Sequence, residues 1–291
     1  MTRATMDRRY LACRLCVVWF AVLGLMLAAP RAWAQTPSPL AEWQYSSGIQ
    51  LQRLFEPAVP NWQIELGVGG QYAPISDGLD RYRVQPGPSV DVRYRDRAFL
   101  STGEGFGVNL ITDAHFRMGV AVTYDLGRLV RSDFSHLHGL ENIQVSPEGK
   151  IFAEWALARW FPVTVRVDAR RQFGGTDGWI GDVGAYTPLP GSSRSFAWFA
   201  GPTATFANQR YLNSYFGVTD YESTQSAFRP YSAQAGLKSA GVGVSAAWLI
   251  TPHWIANVSG GGNRLLASAA QSPITESKTQ GVVAFTMLYK F

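Results

Sequence analysis

The sequence predicts an all-β fold, an antiparallel transmembrane β-barrel of about 12 strands. Three observations support this prediction. Segments of about ten residues alternate between apolar and polar side chains, aromatic residues lie at the ends of these segments, and an apolar alternation runs back from Phe291. Because successive side chains of a strand point to opposite faces, each segment has one apolar face and one polar face.

The first 34 residues predict a signal peptide that is cleaved from the mature protein. Four arginines lie between residues 3 and 14, and an apolar run follows over 15–29. This run is shorter than the ~20 apolar residues that a membrane-spanning helix needs. Residues 32–34 read Ala-Trp-Ala, an A-x-A cleavage site, so we expect the mature chain to begin at Gln35. Pro30 and this site disfavour the alternative, an uncleaved anchor.

Removal of this segment changes what the composition implies. The segment carries five of the 26 Lys and Arg residues and one of the 21 Asp and Glu residues, which leaves 21 positive and 20 negative charges. The basic character belongs largely to the signal peptide, so it indicates no nucleic-acid partner. Both cysteines, Cys13 and Cys16, are lost as well, which excludes disulfides, thiolate metal sites and cysteine nucleophiles from the mature protein.

Residues 35–60 contain four prolines without alternation and predict a periplasmic lead-in to a barrel over 61–291. In the first alternating segment, Trp62, Ile64 and Leu66 fall on the face opposite to Gln63 and Glu65. Further alternating segments are predicted over 82–94, 97–110, 116–126, 149–158, 163–170, 179–188, 194–206, 240–250, 254–265 and 280–291.

The connections between these segments fall into short and long classes. Short connections are predicted at 111–114, 159–162 and 251–253, and long ones at 127–148 and 207–239, with 268–278 intermediate. Since barrels have short periplasmic turns and longer extracellular loops, we expect the short turns and both termini in the periplasm. Gly103-Glu104-Gly105 then breaks 97–110 into a short hairpin, which gives 12 strands; ten or fourteen remain open.

The last strand separates a barrel from a soluble β-sandwich, which would show the same alternation on its two sheet faces. Val283, Phe285, Met287, Tyr289 and Phe291 are apolar at every second position. This pattern resembles the sequence by which outer-membrane proteins are delivered to the barrel assembly machinery. We also expect the strand to close the sheet, because no backbone edge can stay unpaired in lipid.

The polar strand faces carry charges of both signs, which we expect to point into the lumen. The set is Glu65, Arg83, Asp91, Arg93, Arg117, Asp125, Lys150, Glu154, Arg166, Asp168, Arg170 and Asp182. Buried charges are costly unless they are paired. A mixed set therefore predicts either a cross-braced, largely closed lumen or a narrow wet channel. It argues against a strongly ion-selective pore, which would show one sign at a constriction.

No residue pattern indicates catalysis, and we expect no cofactor and no metal ion. His136 and His138, between Asp133 and Glu141, are one residue apart in a predicted loop, which is weak evidence for a metal site. A solvated loop is the simpler interpretation. Ser135 and His136 are adjacent, so their side chains tend to diverge, and a G-x-S-x-G nucleophile elbow is absent. Both facts disfavour a lipid hydrolase.

Several stretches resemble the MltA-interacting protein (MipA/OmpV) family of outer-membrane proteins. They occur in order along the chain, at 82–88, 99–110 (FLSTGEGFGVNL), 215–219 (YFGVT), 235–238, 249–254, 259–266 and 270–273. The resemblance implies a barrel in the outer-membrane lipid of a Gram-negative cell that acts as a scaffold, joining a lytic transglycosylase to a peptidoglycan synthase. The family has no established catalytic residues. The 127–148 loop departs from the pattern, which puts a shared external ligand in doubt.

Two other functions stay open at this point. A narrow porin for small solutes is the main alternative, because the predicted lumen is polar. An interfacial lipid hydrolase is a third class, for which the sequence offers only the adjacent Ser135 and His136.

We expect N-terminal sequencing of the membrane-purified protein to begin at Gln35, because the A-x-A site ends at Ala34. Edman degradation or mass spectrometry of the N-terminal peptide checks this. A mature chain that keeps the apolar run 15–29 would contradict the signal-peptide interpretation.

Overall fold

The computed structural model describes residues 61–113, 115–158, 161–193 and 195–291. The predicted signal peptide over 1–34 and the lead-in over 35–60 lie outside the described residues. Among those described, no helix is both long enough and apolar enough to cross a membrane.

Within the described part of the chain, twelve strands form one closed antiparallel barrel, which confirms the predicted fold class and strand number. Each strand pairs with its neighbours in sequence, and β1 pairs with β12. The strands are β1 Trp62–Pro74, β2 Tyr82–Tyr94, β3 Ala98–Ser101, β4 Gly105–Thr112, β5 Phe116–Asp125, β6 Ser146–Ala158, β7 Phe161–Gln172, β8 Trp179–Pro188, β9 Phe196–Ala207, β10 Gly236–Leu249, β11 Trp254–Leu265 and β12 Thr279–Lys290.

The outward face of the wall is an apolar belt between two rings of aromatic side chains. Outward side chains such as Val68, Val84 and Val122 are more than half exposed, as expected for residues that face lipid rather than a protein core. At one rim Trp62 packs on Tyr94, with ring centroids 4.7 Å apart. At the other rim Tyr72 stacks on Tyr82 at 5.1 Å. Aromatic rings suit the interface between hydrocarbon and headgroups, so these rings mark the two edges of the belt.

The seam between the first and last strands closes the barrel. β1 and β12 pair over eight residues, from Glu65 with Lys290 to Tyr72 with Val283. The outward positions of β12 are the predicted alternating residues, and Val283, Phe285 and Phe291 are among the exposed large apolar side chains. The Phe291 N–H extends the pairing by donating to the Ile64 carbonyl at 3.0 Å.

The two ends of the barrel differ in the length of their connections. At the rim of Trp62 and Tyr94 the strands are joined by short turns. At the opposite rim, the connections 75–81, 126–145, 208–235 and 266–278 fold together into a layer that we call the cap. The cap contains a 3-10 helix and four α-helices. These are the 3-10 helix Val130–Asp133, α1 Phe134–Leu137, α2 Gln209–Phe216, α3 Asp220–Gln225 and α4 Ala267–Gln271.

The cap has an apolar core of its own, which corrects the interpretation of the His136 region as a solvated loop. Leu137 and Leu140 are buried with Leu79, Val218 and Ile274, which come from the other cap connections. A second buried cluster forms around Leu212 and Phe216 of α2. The burial of these apolar side chains favours the folded arrangement over a solvated loop.

One hairpin is shorter than the rest. β3 and β4 pair over four residues, and their turn at 102–104 lies beside Val90 of β2 and Val122 of β5, well below the cap. Gly105 has φ +87°, and a Cβ there would lie 2.3 Å from the Val122 carbonyl oxygen. The turn therefore needs glycine at this position. The break predicted at Gly103-Glu104-Gly105 occurs where the sequence indicated.

We expect Val120→Arg to destabilise the barrel by about 2–4 kcal/mol, since it places a charge on the lipid-facing side of β5. The fraction of chain that migrates as folded protein on unheated SDS gels, across a urea series, measures this. The matched control is Val145→Arg, an exposed position just before β6 near the cap rim. Equal loss in both variants would contradict the assignment of the belt.

Candidate functional site

The predicted lumen charges all lie on the inward strand faces. Of the twelve, eleven are buried and Arg83 is half-buried. They fall into one cluster near the short hairpin and a second near the cap. The structure thus distributes them along the interior instead of bringing them together at one point.

Glu104 is the centre of the first cluster. Its carboxylate, fully buried, accepts from Arg93 at 2.5 Å and from Arg117 and Arg166 at 3.2 Å each. Lys150 donates from Nζ to the Glu104 carbonyl at 3.0 Å. The turn that truncates the hairpin therefore aims this side chain into the barrel, where cations from β2, β5, β6 and β7 meet it.

Two further carboxylates complete this cluster. Arg93 donates from Nε to Asp91 at 2.8 Å, and Glu154 accepts from Arg117 at 2.9–3.0 Å and from Arg166 at 2.5 Å. Charge-assisted hydrogen bonds of this kind offset the desolvation of the buried charges. The resulting network joins β2 to β7 across the interior.

Aromatic rings lie next to the arginines. Arg117 and Arg166 lie 5.3 and 5.5 Å from the centroid of the Phe152 ring, and Lys150 lies 5.7 Å from it. Phe99 contacts Phe152 edge-on at 5.8 Å. These cation–π contacts stabilise cations that are removed from water. The two buried rings also fill part of the interior beside the network.

The second cluster lies nearer the cap. Arg170 forms an ion pair with Asp168, with Nε 3.2 Å from the carboxylate, and donates a hydrogen bond to Asp182. Gln172, also on β7, donates from Nε2 to Asp125 of β5 at 2.5 Å and to Glu148 of β6 at 3.0 Å. Each acidic side chain here is held by a specific donor, as the cost of burying charge requires.

The cap is joined to this second cluster by Tyr215 of α2. Its hydroxyl donates to Asp125 at 2.7 Å, and its carbonyl accepts from Arg128 at 2.6 Å. Burial raises the pKa of Tyr215 well above its ordinary value, and the nearby Asp125 carboxylate acts in the same direction, so the hydroxyl stays a donor at neutral pH. A cavity of about 190 Å³ lies below, lined among others by Arg170, Asp182 and Lys238.

Glu222 joins two of the connections that form the cap, 208–235 and 126–145. Its carboxylate accepts from the Glu141 N–H at 2.9 Å and closes a capping box with Thr219 at the start of α3. Burial acts to raise the pKa of Glu222, but the N–H groups of Thr219 and Glu141 outweigh it and hold this pKa below its usual value. Glu222 is therefore charged at neutral pH and stabilises the cap; this contribution is lost as the pH falls through its lowered pKa.

At the level of the network, the inward residues of β10, β11 and β12 are small or apolar. The inward residues Ser245, Ser259, Thr286 and Leu288 are each at most 7% exposed. At the level of the network, both walls of the described barrel are therefore closed to water. The arrangement can brace the sheet, whereas a solute path would need accessible lumen residues.

The residues considered for chemistry have other partners in the cap. The Ser135 hydroxyl donates to Asp133 at 3.0 Å and accepts from Arg81. His136 faces Glu276 through Nδ1 at 3.0 Å and the Ile274 carbonyl through Nε2 at 2.8 Å. The side chains of Ser135 and His136 thus point to different neighbours. Within the described ranges, no group of three or more His, Cys, Asp or Glu side chains is arranged to hold a metal ion.

Glu104 and Glu148 are inward charges that the sequence reasoning did not assign to the lumen. Glu148 precedes the segment predicted to start at 149, and Glu104 lies in a turn, where alternation gives no direction. The signal for Glu104 is the pair of flanking glycines, which marks the turn but does not show which way the carboxylate points.

Comparison with known proteins gives a family. A family model described as MltA-interacting protein MipA matches residues 66–291. A search of curated protein sequences gives no match.

Solved structures with related form include three channels of low identity. The CymD monoaromatic hydrocarbon channel is 9% identical (89% of this chain, 98% of that chain, TM-score 0.42). The NanC porin is 8% identical (78% and 100%, TM-score 0.39). The COG4313 outer membrane channel from Pseudomonas putida F1 is 8% identical (80% and 97%, TM-score 0.39).

We expect Glu104→Gln to lower the free energy of unfolding by about 3–5 kcal/mol, because it leaves three buried arginines with fewer carboxylates. Urea unfolding in detergent micelles, followed by tryptophan fluorescence, measures the change. The matched control is Glu141→Gln on the exposed surface of the cap, which should stay within about 0.5 kcal/mol of wild type. Equal unfolding midpoints for the two variants would show that Glu104 does not brace the barrel.

Proposed function

The chain belongs to the MltA-interacting protein MipA family, and from this premise we propose that it is a scaffold of the outer membrane that acts by binding other envelope proteins. The partners proposed are a lytic transglycosylase, the class to which the family's name refers, and a peptidoglycan synthase. The proposed role requires no catalytic residue.

The observation that carries this proposal is the filled interior. Arg117 and Glu104 are fully buried, and Glu154 and Lys150 are 1% exposed, at a level where a porin would hold water. A structured cap covers the wide end above them. A barrel whose interior is braced in this way presents rigid rims and a rigid wall, which suits a protein that binds through its surface.

The orientation follows from the two rims. The belt between the aromatic rings fits the hydrocarbon layer of an outer membrane. Since long connections are extracellular in such barrels, the cap faces outward and the short turns face the periplasm, where peptidoglycan lies. The rim of Trp62, Tyr94 and Trp254 is then the side available to a periplasmic partner.

The turn between β2 and β3 is the best candidate for the contact. Arg95 and Asp96 both have positive φ, 47° and 53°, a conformation that disfavours residues other than glycine. Arg95 lies over the Tyr94 ring at 5.4 Å and donates to Asn61 at 3.0 Å. The turn thereby holds Arg95 and Arg97 exposed at the rim. Positive φ at both central residues is the geometry of a two-residue type I′ hairpin turn, which fixes the position of these side chains.

A narrow porin is the second candidate, and the polar cavity beside Arg170 and Lys238 is the observation in its favour. The filled level at Glu104 stands against it. Conductance in planar bilayers distinguishes the two functions: a scaffold gives no stable channel, and a porin gives one.

We expect Arg97→Glu to weaken binding of a purified lytic transglycosylase by at least tenfold, because it reverses a charge on the proposed contact rim. Biolayer interferometry with the detergent-solubilised barrel measures the affinity. Arg229→Glu, the same change on the exposed face of the cap at the opposite end, is the matched control and should bind as wild type does. Undiminished binding by Arg97→Glu removes the rim from the interface; absent binding by wild type overturns the scaffold proposal for this enzyme class.

A further inference from the structure

The short hairpin leaves an incomplete stretch in the barrel wall. β3 covers only Asp91–Tyr94 of β2. Above this level, residues 82–90 of β2 pair with β1 on one side, and on the other side the β2–β3 ladder ends at Asp91. Across the space, Thr123, Tyr124 and Asp125 of β5 pair with β6 but lie beyond the paired part of β4.

The dimensions of this stretch follow from sheet geometry. Adjacent strands lie about 4.8 Å apart, so two missing strands separate β2 from β5 by roughly 14 Å. The turn at 102–104 forms the lower border. The upper border is the contact of Arg81 with Asp133 at 3.0 Å and with Ser135 at 2.9 Å, which joins two cap connections. We call this bounded gap the window.

The free edge of β2 is adapted to lie in an apolar medium. The Val90 N–H and carbonyl both bond Thr102, so the backbone groups at this parity point toward the window. The next two residues of β2 whose backbone groups point toward the window are Pro88 and Pro86. Proline has no N–H, so two donors that would otherwise face the window unpaired are absent. Proline in strands is confined to such edges.

Side-chain hydrogen bonds partly close the lower border of the window. Thr102 donates from its hydroxyl to the Val90 and Pro88 carbonyls at 3.5 and 3.4 Å, and Tyr124 donates to the Thr102 carbonyl at 3.4 Å. The outward side chains beside the window, Val84 and Val122, are among the exposed apolar residues of the belt. Behind it, the inward Gly87 faces Gly69 of β1, and a Cβ at Gly87 would have no atom within 4 Å. The space directly beside Gly87 is therefore open, whereas the flanking inward side chains of Gln85 and Ser89 are 6% and 2% exposed.

We propose that the window is a lateral port that admits the acyl chain of a membrane lipid into the space behind β2. The occupant follows from position, because the window opens within the apolar belt and acyl chains are what surrounds it there. Addition of a partner strand fits poorly, since Pro86 and Pro88 cannot donate the hydrogen bonds that pairing needs. The port is independent of the scaffold role and would persist if no periplasmic partner binds.

Cysteine labelling tests the port in the full chain with Cys13 and Cys16 replaced by serine, in lipid vesicles. Gly87→Cys reports the space behind the window, Ser245→Cys is the matched inward position on the opposite, closed wall, and Val244→Cys is the lipid-facing reference. With a pyrene maleimide dissolved in the bilayer, we expect Gly87→Cys to react within threefold of Val244→Cys and at least tenfold faster than Ser245→Cys. Reaction as slow as that of Ser245→Cys, or with a charged water-soluble maleimide alone, would overturn the proposal.

A second measurement on the wild-type chain guards against a labelling variant that fails to fold. A fatty acid with a diazirine on its acyl chain is photoactivated in vesicles, and adducts are mapped by mass spectrometry. Adducts on the inward Gly87 support the port. Adducts confined to outward residues such as Val84 exclude acyl chains from the window.

Discussion

Backbone pairing in hydrocarbon governs how this wall is built. An N–H or carbonyl group without a partner costs several kcal/mol there, so a sheet in lipid has to close on itself. Twelve described strands do so, with β12 returning to β1. The short hairpin is the one departure within the described wall, and its surroundings compensate for it. Thr102 bonds Val90, the first residue of β2 beyond its pairing with β3, and Pro88 and Pro86 are the next residues of β2 whose backbone groups point the same way.

The interior follows from the closed wall. The face of each strand that meets lipid is apolar, so the polar side chains of the alternation face inward. Once inside the barrel they are removed from water and have to pair. Glu104 meets three arginines from three different strands, which no local segment could provide. The charges therefore act as cross-braces between strands distant in sequence. A braced interior and a cap with its own apolar core describe a rigid body, which is the property on which a surface-binding role depends.

Alternation made the strands predictable, because period two survives in a single sequence wherever one face meets lipid. The twelve-strand count and the break at 103–105 came from this signal together with turn residues. The cap was not predictable in the same way. Leu137 and Leu140 are buried because the connections 75–81 and 266–278 pack over them, and no spacing within 127–148 indicates partners as distant in sequence as Leu79 and Ile274. Glu104 was missed for a related reason. Alternation assigns an inward or outward direction only to strand residues, and Glu104 lies in a turn. Arg93, Arg117 and Arg166 were placed inward by parity, but that three of them meet one carboxylate depends on the stagger between strands.

The seam of β1 and β12 bears on the kinetics of assembly. Tyr72 pairs with Val283, and above the belt the Gly78 N–H donates to the Gln280 side chain across 202 residues of sequence. Closing a loop of this length costs about 5 kcal/mol of chain entropy, against about 2 kcal/mol for a hairpin of ten residues. Hairpins between sequence neighbours therefore form first and the seam last. Until then the curved sheet has two unpaired edges, and an intermediate stalled at this step is a template for edge-to-edge aggregation. The time that β1 and β12 remain apart is accordingly the interval in which the nascent barrel depends most on other proteins.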